Sequence, residues 1–512
     1  MSLAKGAAPV TKIMKKFLAL IIFILLCLVA YWWPTLGSTA KNFPGNRNAS
    51  SWISNATGGS DLPAFEGKAA VANPLPALPK APHPVMNNAG YAGAHADSYN
   101  SGVIGAAGPL GREPEVLSRM TGALFSGCST QHFDRQGRLI AVCVGLTGSH
   151  LLLMNPHNLE ILADQPLPPL GGWYFRMDQK DRVVLPAGDM SLRIYSVDET
   201  AGQYHWVMQD RFDLLPAVPA EYHGNFKTRP MDVVADWDGN WWFSIMEPAA
   251  IGYVDAQGEI HAHTFVGEIL ENGLAADANG IYFVTDKHLY GMRASQDGQI
   301  DIFFKLAYDA GSSVKALSRG SGTTPVLLGD KLIAFGDNAD PRPNLLVYRL
   351  DDVDDSQRLV CRFPVFKPQR SALENSFIGY DHSIVIENNM GFSVFGNSSG
   401  GQPGIVRVDV RPDLSGCDLV WENYSVRAGT GAKLSTATGL IYVHELLMDT
   451  GWINAWYISA IDFRTGELVW RHFLGTGKQW DNAMLTMSIG PDGLLTSGMF
   501  AGLAALRDRP AP

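Results

Sequence analysis

Residues 460–470 read "AIDFRTGELVW": Ala460, Ile461 and Phe463 lead into Arg464, Thr465 and Gly466, and a second apolar run closes on Trp470. Arg-Thr-Gly is turn chemistry and the flanking residues alternate, so the stretch reads as a β-hairpin. The phrase recurs. An apolar run, a turn, a second apolar run and a polar cluster follow one another eight times after residue 120, as in "CSTQHFDRQGRLIAVCVG", "PMDVVADWDGNWWFSIME" and "AMLTMSIGPDGLLTSGM". The turn residues Arg135, Gln179, Asp238, Asn279, Gly329, Asp381, Thr438 and Pro491 stand 41 to 59 positions apart. Each period holds a second pair of runs, such as "GYVDAQGEIHAHTF", so one repeat makes a four-stranded antiparallel sheet. Repeats of this length predict an all-β, eight-bladed β-propeller, with seven blades as the alternative if one copy is an irregular insertion. The eighth copy stops one strand short after "GLAALRD", and "PEVLSRMTG" ahead of the first copy can supply that strand and close the ring. Trp470 is expected on the outermost strand of its blade, packed on the neighbouring sheet.

Composition agrees with many short strands joined by tight turns. Charged residues are only 18% of the 512, hydrophobic ones 46%, and there are 53 Gly and 30 Pro, a balance that fits helices poorly. The formal charge is −10, and Lys5, Lys12, Lys15 and Lys16 stand before residue 36 without any acid; the remainder carries 36 bases against 50 acids. Such a body is repelled by phosphate backbones, so no nucleic-acid partner is expected.

Four segments follow: a basic cytoplasmic tail (1–16), a signal anchor or transmembrane helix (17–36), a flexible Pro/Ala/Gly-rich linker (37–111) and the propeller (112–509). The run "FLALIIFILLCLVAYWW" from Phe17 to Trp33 spans about 25 Å as a helix, slightly short of a hydrocarbon core of about 30 Å. It follows "KIMKK", so the lysines stay inside and the body lies outside the cytoplasm, periplasmic or extracellular. A cleaved signal peptide is the alternative, with Ser38-Thr39-Ala40 as a cleavage site; both readings export the remainder. The linker has little periodicity and too few bulky apolar residues to offset the entropy of ordering, and its histidines are expected to be solvent-exposed. Export to an oxidising compartment favours disulfides. Cys128 and Cys143 stand equidistant from the "DRQG" turn and are expected to pair across one hairpin; Cys361 and Cys417, on different blades, form the second expected pair.

"AIDFRTGELVW" resembles the repeat of quinoprotein-type propellers, which pairs Ala-x-Asp, a Thr-Gly turn and a docking Trp; "RVDVRPDLSGCDLVW", ending at Trp421, is a looser copy. "RPMDVVADWDGNWWFSIM" and "ENGLAADANGIYFVTD" resemble strand pairs of gluconolactonase-like propellers, whose site holds a divalent metal. Both resemblances imply blade grammar more than chemistry. Quinoprotein dehydrogenases carry adjacent cysteines beside pyrroloquinoline quinone (PQQ), and this chain has no Cys-Cys pair. The lactonase-like motif has Asn before the position of Asp232, where this chain has Met231.

In blades whose strands alternate in direction, the turns between the two innermost strands gather on one face. Asp134, Asp178, Asp236, Asp238 and Asp277 occupy those turns and are expected to be structural. The opposite face gathers Arg229, Asp232, Glu247, Glu271, Asn272, Asp286, Asp337, Asn338, Asp340, Glu374, Asn375, Glu387, Asn388, Lys433, His444, Glu445, Asp481 and Asn482. Such oxygens can ligate a hard cation, act as an acid/base pair, or cap strand ends. Carboxylates brought together alone repel one another, so a divalent cation such as calcium is the expected cofactor. The expected metal ligands are Asp337, Asp340, Glu387 and Asn388, with Asn272, Asn375 and Glu445 as ligand-binding contributors from neighbouring blades. Serine-hydrolase, zincin, P-loop and dinucleotide signatures are absent. The function expected is a small-molecule enzyme, lactonase-like or quinoprotein-like; the alternative is a non-catalytic scaffold that presents its rim to envelope proteins.

Overall fold

Within each repeat the middle strands are continuous apolar runs, because neighbouring sheets cover both of their faces. Trp241–Ile245, Gly280–Val284 and Leu332–Gly336 are buried at every position, whereas the fourth strand of the second repeat, Gln203–Asp213, is mostly exposed. The computed structural model describes residues 18, 20–26, 63–78, 82–87, 95, 97–121, 126–145, 148–295, 297–312, 314, 317–393, 398, 401–429, 431–449, 454–500 and 502–509. They form an eight-bladed β-propeller: blades 1 to 7 span 126–167, 176–213, 230–265, 275–307, 326–364, 378–423 and 433–476. Blade 8 combines three strands between 487 and 507 with Glu115–Met120, which pairs antiparallel with Gly502–Arg507. The ring is thus closed by the N-terminal strand, as the short eighth copy predicts. Across that join Leu139 and Leu152 of blade 1 share a core with Leu494, Leu503 and Ala505 of blade 8.

The opening hairpin shows how blades dock. Asp462 Oδ1 accepts from the backbone N–H groups of Arg464 and Thr465 (2.8 and 2.9 Å), shaping the turn. Gly466 has φ +75°, and a Cβ there would come 2.5 Å from the indole of Trp421. Trp421 Nε1 donates to the Phe463 carbonyl at 3.0 Å, so the Arg-Thr-Gly turn receives the docking Trp of the preceding blade. Trp470 is fully buried, in one core with Leu495 and Leu506 of blade 8, and burying so large a ring contributes about 3 kcal/mol. Its strand is not the outermost of blade 7, because Phe65–Gly67 pairs outside it.

Both expected disulfides are present. Cys128 and Cys143 face one another across the first hairpin of blade 1, and Cys361–Cys417 joins the outer strands of blades 5 and 6.

The described part of the expected linker departs from a flexible spacer. Backbone N–H groups of Ala276, Leu327, Gly379, Leu434 and Thr436, one innermost strand after another, donate to the carbonyls of Ser98, Tyr99, Ser101, Gly102 and Ile104. Val103–Ile104 runs parallel to the innermost strand of blade 7, and Asn100 Nδ2 bonds the Leu274 and Pro325 carbonyls at 3.0 Å each. The inner edges of the blades leave N–H groups facing the channel, and this segment satisfies them. Its small residues suit that narrow space. His83 and His95 are 5% and 2% exposed, contrary to the expectation of solvated histidines.

Of the expected anchor, residues 18 and 20–26 are helical with exposed apolar side chains; the remainder, the basic tail and the linker up to residue 62 lie outside the described residues. Among the described residues no helix is long and apolar enough to cross a membrane.

Candidate functional site

Mid-channel, the strand end of blade 2 directs Arg176 inward. Its Nε donates to the Val233 carbonyl (3.1 Å) and its Nη2 reaches Asp232 Oδ2 (3.3 Å) and Asn100 Oδ1 (3.4 Å). Asp232 also accepts from the backbone N–H of Val233 and Leu274, 2.8 Å each. Both oxygens of Asp232 therefore face donors, and this carboxylate does not suit the divalent metal that the gluconolactonase-like resemblance implies. His95 Nδ1 lies 3.5 Å from Arg176 Nη2. Burial, then the nearby Arg176 and Lys433, hold His95 well below the usual imidazole value, so it is neutral. His95 packs against the Tyr174 ring beside this ion pair, with ring centroids 4.8 Å apart.

Beside His95 opens a funnel of about 230 Å³ lined by Ser129 and Met231 of blades 1 and 3 and by residues of the loops that lead into blades 2 to 8, such as Trp173, Glu271, Glu374 and Leu485. Its charged lining residues are Arg229, Glu271 and Glu374, beside Asn272 and Asn375. Glu271 Oε2 accepts from the Arg319 N–H (3.1 Å), and Glu374 Oε1 from the N–H groups of Leu317 and Ser318 (3.0 and 3.3 Å). Burial pushes the Glu271 carboxyl above its ordinary value, against the Arg319 hydrogen bond, and the negative charges of Glu374 and Asp286 add to it. Arg229 lies against the Phe226 ring, and its Nε is buried with no hydrogen-bond partner among the described residues.

The four expected metal ligands are not brought together. Asp337 Oδ1 accepts from the N–H groups of Ala339 (3.2 Å) and Asn344 (2.6 Å), and Oδ2 from Asn344 Nδ2 (2.8 Å), so the carboxylate shapes its own loop in blade 5. Asp340 is exposed and accepts from Ser312 N and Oγ. Asn388 Oδ1 accepts from the N–H of Met390, and its Nδ2 donates to the Arg370 carbonyl. Glu387 accepts from the Ala432 N–H (2.7 Å) and Asn375 Nδ2 (3.0 Å). Carboxylates surrounded by N–H donors offer a cation little. Among the described residues only Asp255, Glu259 and His261, at an outer turn of blade 3, place three such side chains within 4.8 Å of one another.

Of the expected ligand-binding residues, Asn272 and Asn375 do line the funnel. Glu445 does not: it is fully buried within blade 7, accepting from Ser459 Oγ, with Arg471 Nε at 3.7 Å. His95 escaped the sequence reading because nothing local in "GAHADSYNSG" separates a channel-filling segment from a solvated one; the pair Val103-Ile104 was the one strand-like hint.

No family model matches the chain. An uncharacterized protein of Archaeoglobus fulgidus is 25% identical over 279 residues, 48% of this chain and 54% of that protein. The chain thus spans about half the length of the curated relative it matches. Among solved structures it is similar to virginiamycin B lyase from Staphylococcus aureus, at 12% identity over 64% of this chain and 94% of that one, TM-score 0.39. It is also similar to a putative 6-phosphogluconolactonase from Bacteroides uniformis, at 11% identity over 60% and 88%, TM-score 0.37. None of these likenesses bears on the chemistry of the funnel.

Proposed function

We propose that the chain is an exported propeller, held at a membrane by residues 17–36, that binds a small polar molecule in the funnel and acts on it by acid/base chemistry. The observation that carries this reading is the convergence of Glu271, Glu374 and Arg229 on one cavity. Glu271 is the better proton donor, since burial and its acidic neighbours favour its protonated form. Arg229 supplies a donor for a carbonyl or carboxylate oxygen, and Asn272 and Asn375 border the same space. Drug-sized ligands occupy roughly 300–1,000 Å³. At about 230 Å³ the funnel suits something smaller, which favours a compact hydroxy-carbonyl compound over a tricyclic quinone such as PQQ.

The test is a thermal-shift screen of the full-length protein against small hydroxy acids, lactones and sugars, repeated with Glu271→Gln and Arg229→Met. A ligand that stabilises the wild type should lose most of that effect in both variants. No stabilising compound in any of these classes, or one that stabilises the variants equally, would remove the funnel as the site and leave the scaffold reading.

A further inference from the structure

The funnel has two unlike sides. In a closed ring of eight, blade 8 stands across from blade 4 and blade 2 across from blade 6. The loops leading into blades 4 and 6 bring Glu271, Asn272, Glu374 and Asn375 to the cavity, whereas those leading into blades 8 and 2 bring Met484, Leu485 and Trp173. Polar thus faces apolar across one small space. The hydroxyls on the apolar side are committed to backbone carbonyls: Ser129 Oγ donates to those of Val142 and Gly172 (3.2 and 3.3 Å), and Thr486 Oγ1 to that of Ser129 (2.7 Å). Ala483, Leu485 and Phe500 form a small apolar cluster separate from the cores between blades, and the half-buried Trp173 packs on it.

The apolar side is built on a strained bend. Ala483 and Met484 have φ of 52° and 62°, the only two adjacent non-glycine residues in the left-handed region among the described residues. Such backbone persists only where its surroundings over-determine it, and it gathers at segments that contact ligands. Here Asp481, 1% exposed, accepts from the Ala483 N–H through Oδ1 and from Lys478 Nζ and Ser398 Oγ through Oδ2, 2.8 Å each. Asn482 Nδ2 donates to the Gly498 carbonyl at 2.7 Å. These buried side chains clamp the bend that places Met484 at the funnel.

We propose that the ligand is an uncharged monocyclic aromatic compound with one short carbonyl-bearing substituent, its ring on Trp173, Met484 and Leu485 and its oxygen toward Arg229. The proposal rests on the funnel being a small-molecule site and names the ligand class. A flat ring suits this wall better than an aliphatic chain. The indole of Trp173 is a stacking partner, and the thioethers of Met484, Met231 and Met246, which also line the cavity, favour ring edges. A cavity of about 150 Å³ suffices for benzene, so about 230 Å³ leaves room for a few further atoms. The substituent is uncharged because two carboxyls, those of Glu271 and Glu374, share the cavity with the one guanidinium of Arg229, and a third acid there would add to their repulsion.

The test is calorimetric titration of the full-length protein with three neutral amides that differ in one group: lactamide (methyl), 2-hydroxyhexanamide (butyl) and mandelamide (phenyl). Mandelamide should bind on the order of tenfold more tightly than lactamide, and more tightly than the butyl compound. Trp173→Ala should bring mandelamide down to the affinity of lactamide while leaving lactamide itself unchanged, a loss that general destabilisation does not produce. Met484→Gly suits the left-handed backbone, so it should melt no lower than the wild type and still lose much of the preference for phenyl. Equal binding of the three amides, tighter binding of the butyl compound, or a phenyl preference kept in both variants would overturn the proposal. So would binding of none of them. If lactamide binds and Arg229→Met abolishes it while phenyl adds nothing, the aromatic class falls and the funnel reading stands. If phenyl preference depends on Trp173 but not on Arg229 or Glu271, the ligand class stands and the acid/base reading falls.

Discussion

The two faces of the ring use the same residue type for different ends. On the turn face Asp134, Asp178 and Asp236 repeat one pattern. One carboxylate oxygen accepts from the N–H groups two and four residues later, and the other accepts from the side chain four residues later. On the funnel face the glutamates follow no such repeat: Glu271 accepts from the Arg319 N–H, Glu374 from the Leu317 N–H and Glu387 from Asn375 Nδ2. Repetition across blades marks a local requirement of the turn. Its absence marks positions released from that requirement, and these are where the charged lining of the funnel is found.

The contrast can be broken most directly at Asp236, which also accepts from the buried Trp242 Nε1 at 2.7 Å. Asp236→Ala strands that donor and loosens the turn, so it should cost about 3 kcal/mol in denaturant unfolding. A loss below about 1 kcal/mol would show that the turn holds without its aspartate.

A smaller effect should separate Glu387 from the turn aspartates by its sign with pH. Its carboxyl is raised from 4.5 to about 7, so between those values the folded protein keeps a proton that the unfolded chain releases. The resulting stability is full below 4.5 and is lost as pH rises through 7. Glu387→Gln should flatten that decline, by an amount on the order of 2 kcal/mol between pH 4.5 and 7. Unchanged slopes in wild type and variant would mean that the buried carboxyl is not protonated in this range.

The smallest change is expected at Asp337, which keeps to the turn grammar although it sits on the funnel side. Asp337→Asn preserves the oxygen that accepts from Ala339 and Asn344, and should cost about 1 kcal/mol. Calcium should shift the melting temperature of wild type and variant equally. A calcium-dependent rise confined to the wild type would restore this aspartate as a metal ligand.

Asp337 and Asn388 explain why the expected cation shell was misplaced. "GDNAD" and "IENN" concentrate oxygens after second strands, and sequence alone cannot separate a ligand from an acceptor satisfied by the next N–H groups of its own loop. Glu271 and Glu374 carried the same letters with no local sign of their difference, since their convergence depends on loops 100 residues apart meeting across a channel. The hairpin pairing of Cys128 with Cys143 was legible because the two cysteines flank one turn symmetrically.

The sequence by itself determined the blade: strand pairing and turn chemistry are local, set by neighbours a few residues apart, and the short eighth copy pointed to a strand that the N-terminal side can supply. Tertiary structure alone decided what fills the centre. A Gly-, Ser- and Asn-rich segment has too little apolar surface to order itself, and it is ordered because the innermost strands of blades 4 to 7 present backbone N–H groups that its carbonyls accept. That choice buries His95 and leaves Arg229, Glu271 and Glu374 around one small funnel, a placement no stretch of the chain encodes locally.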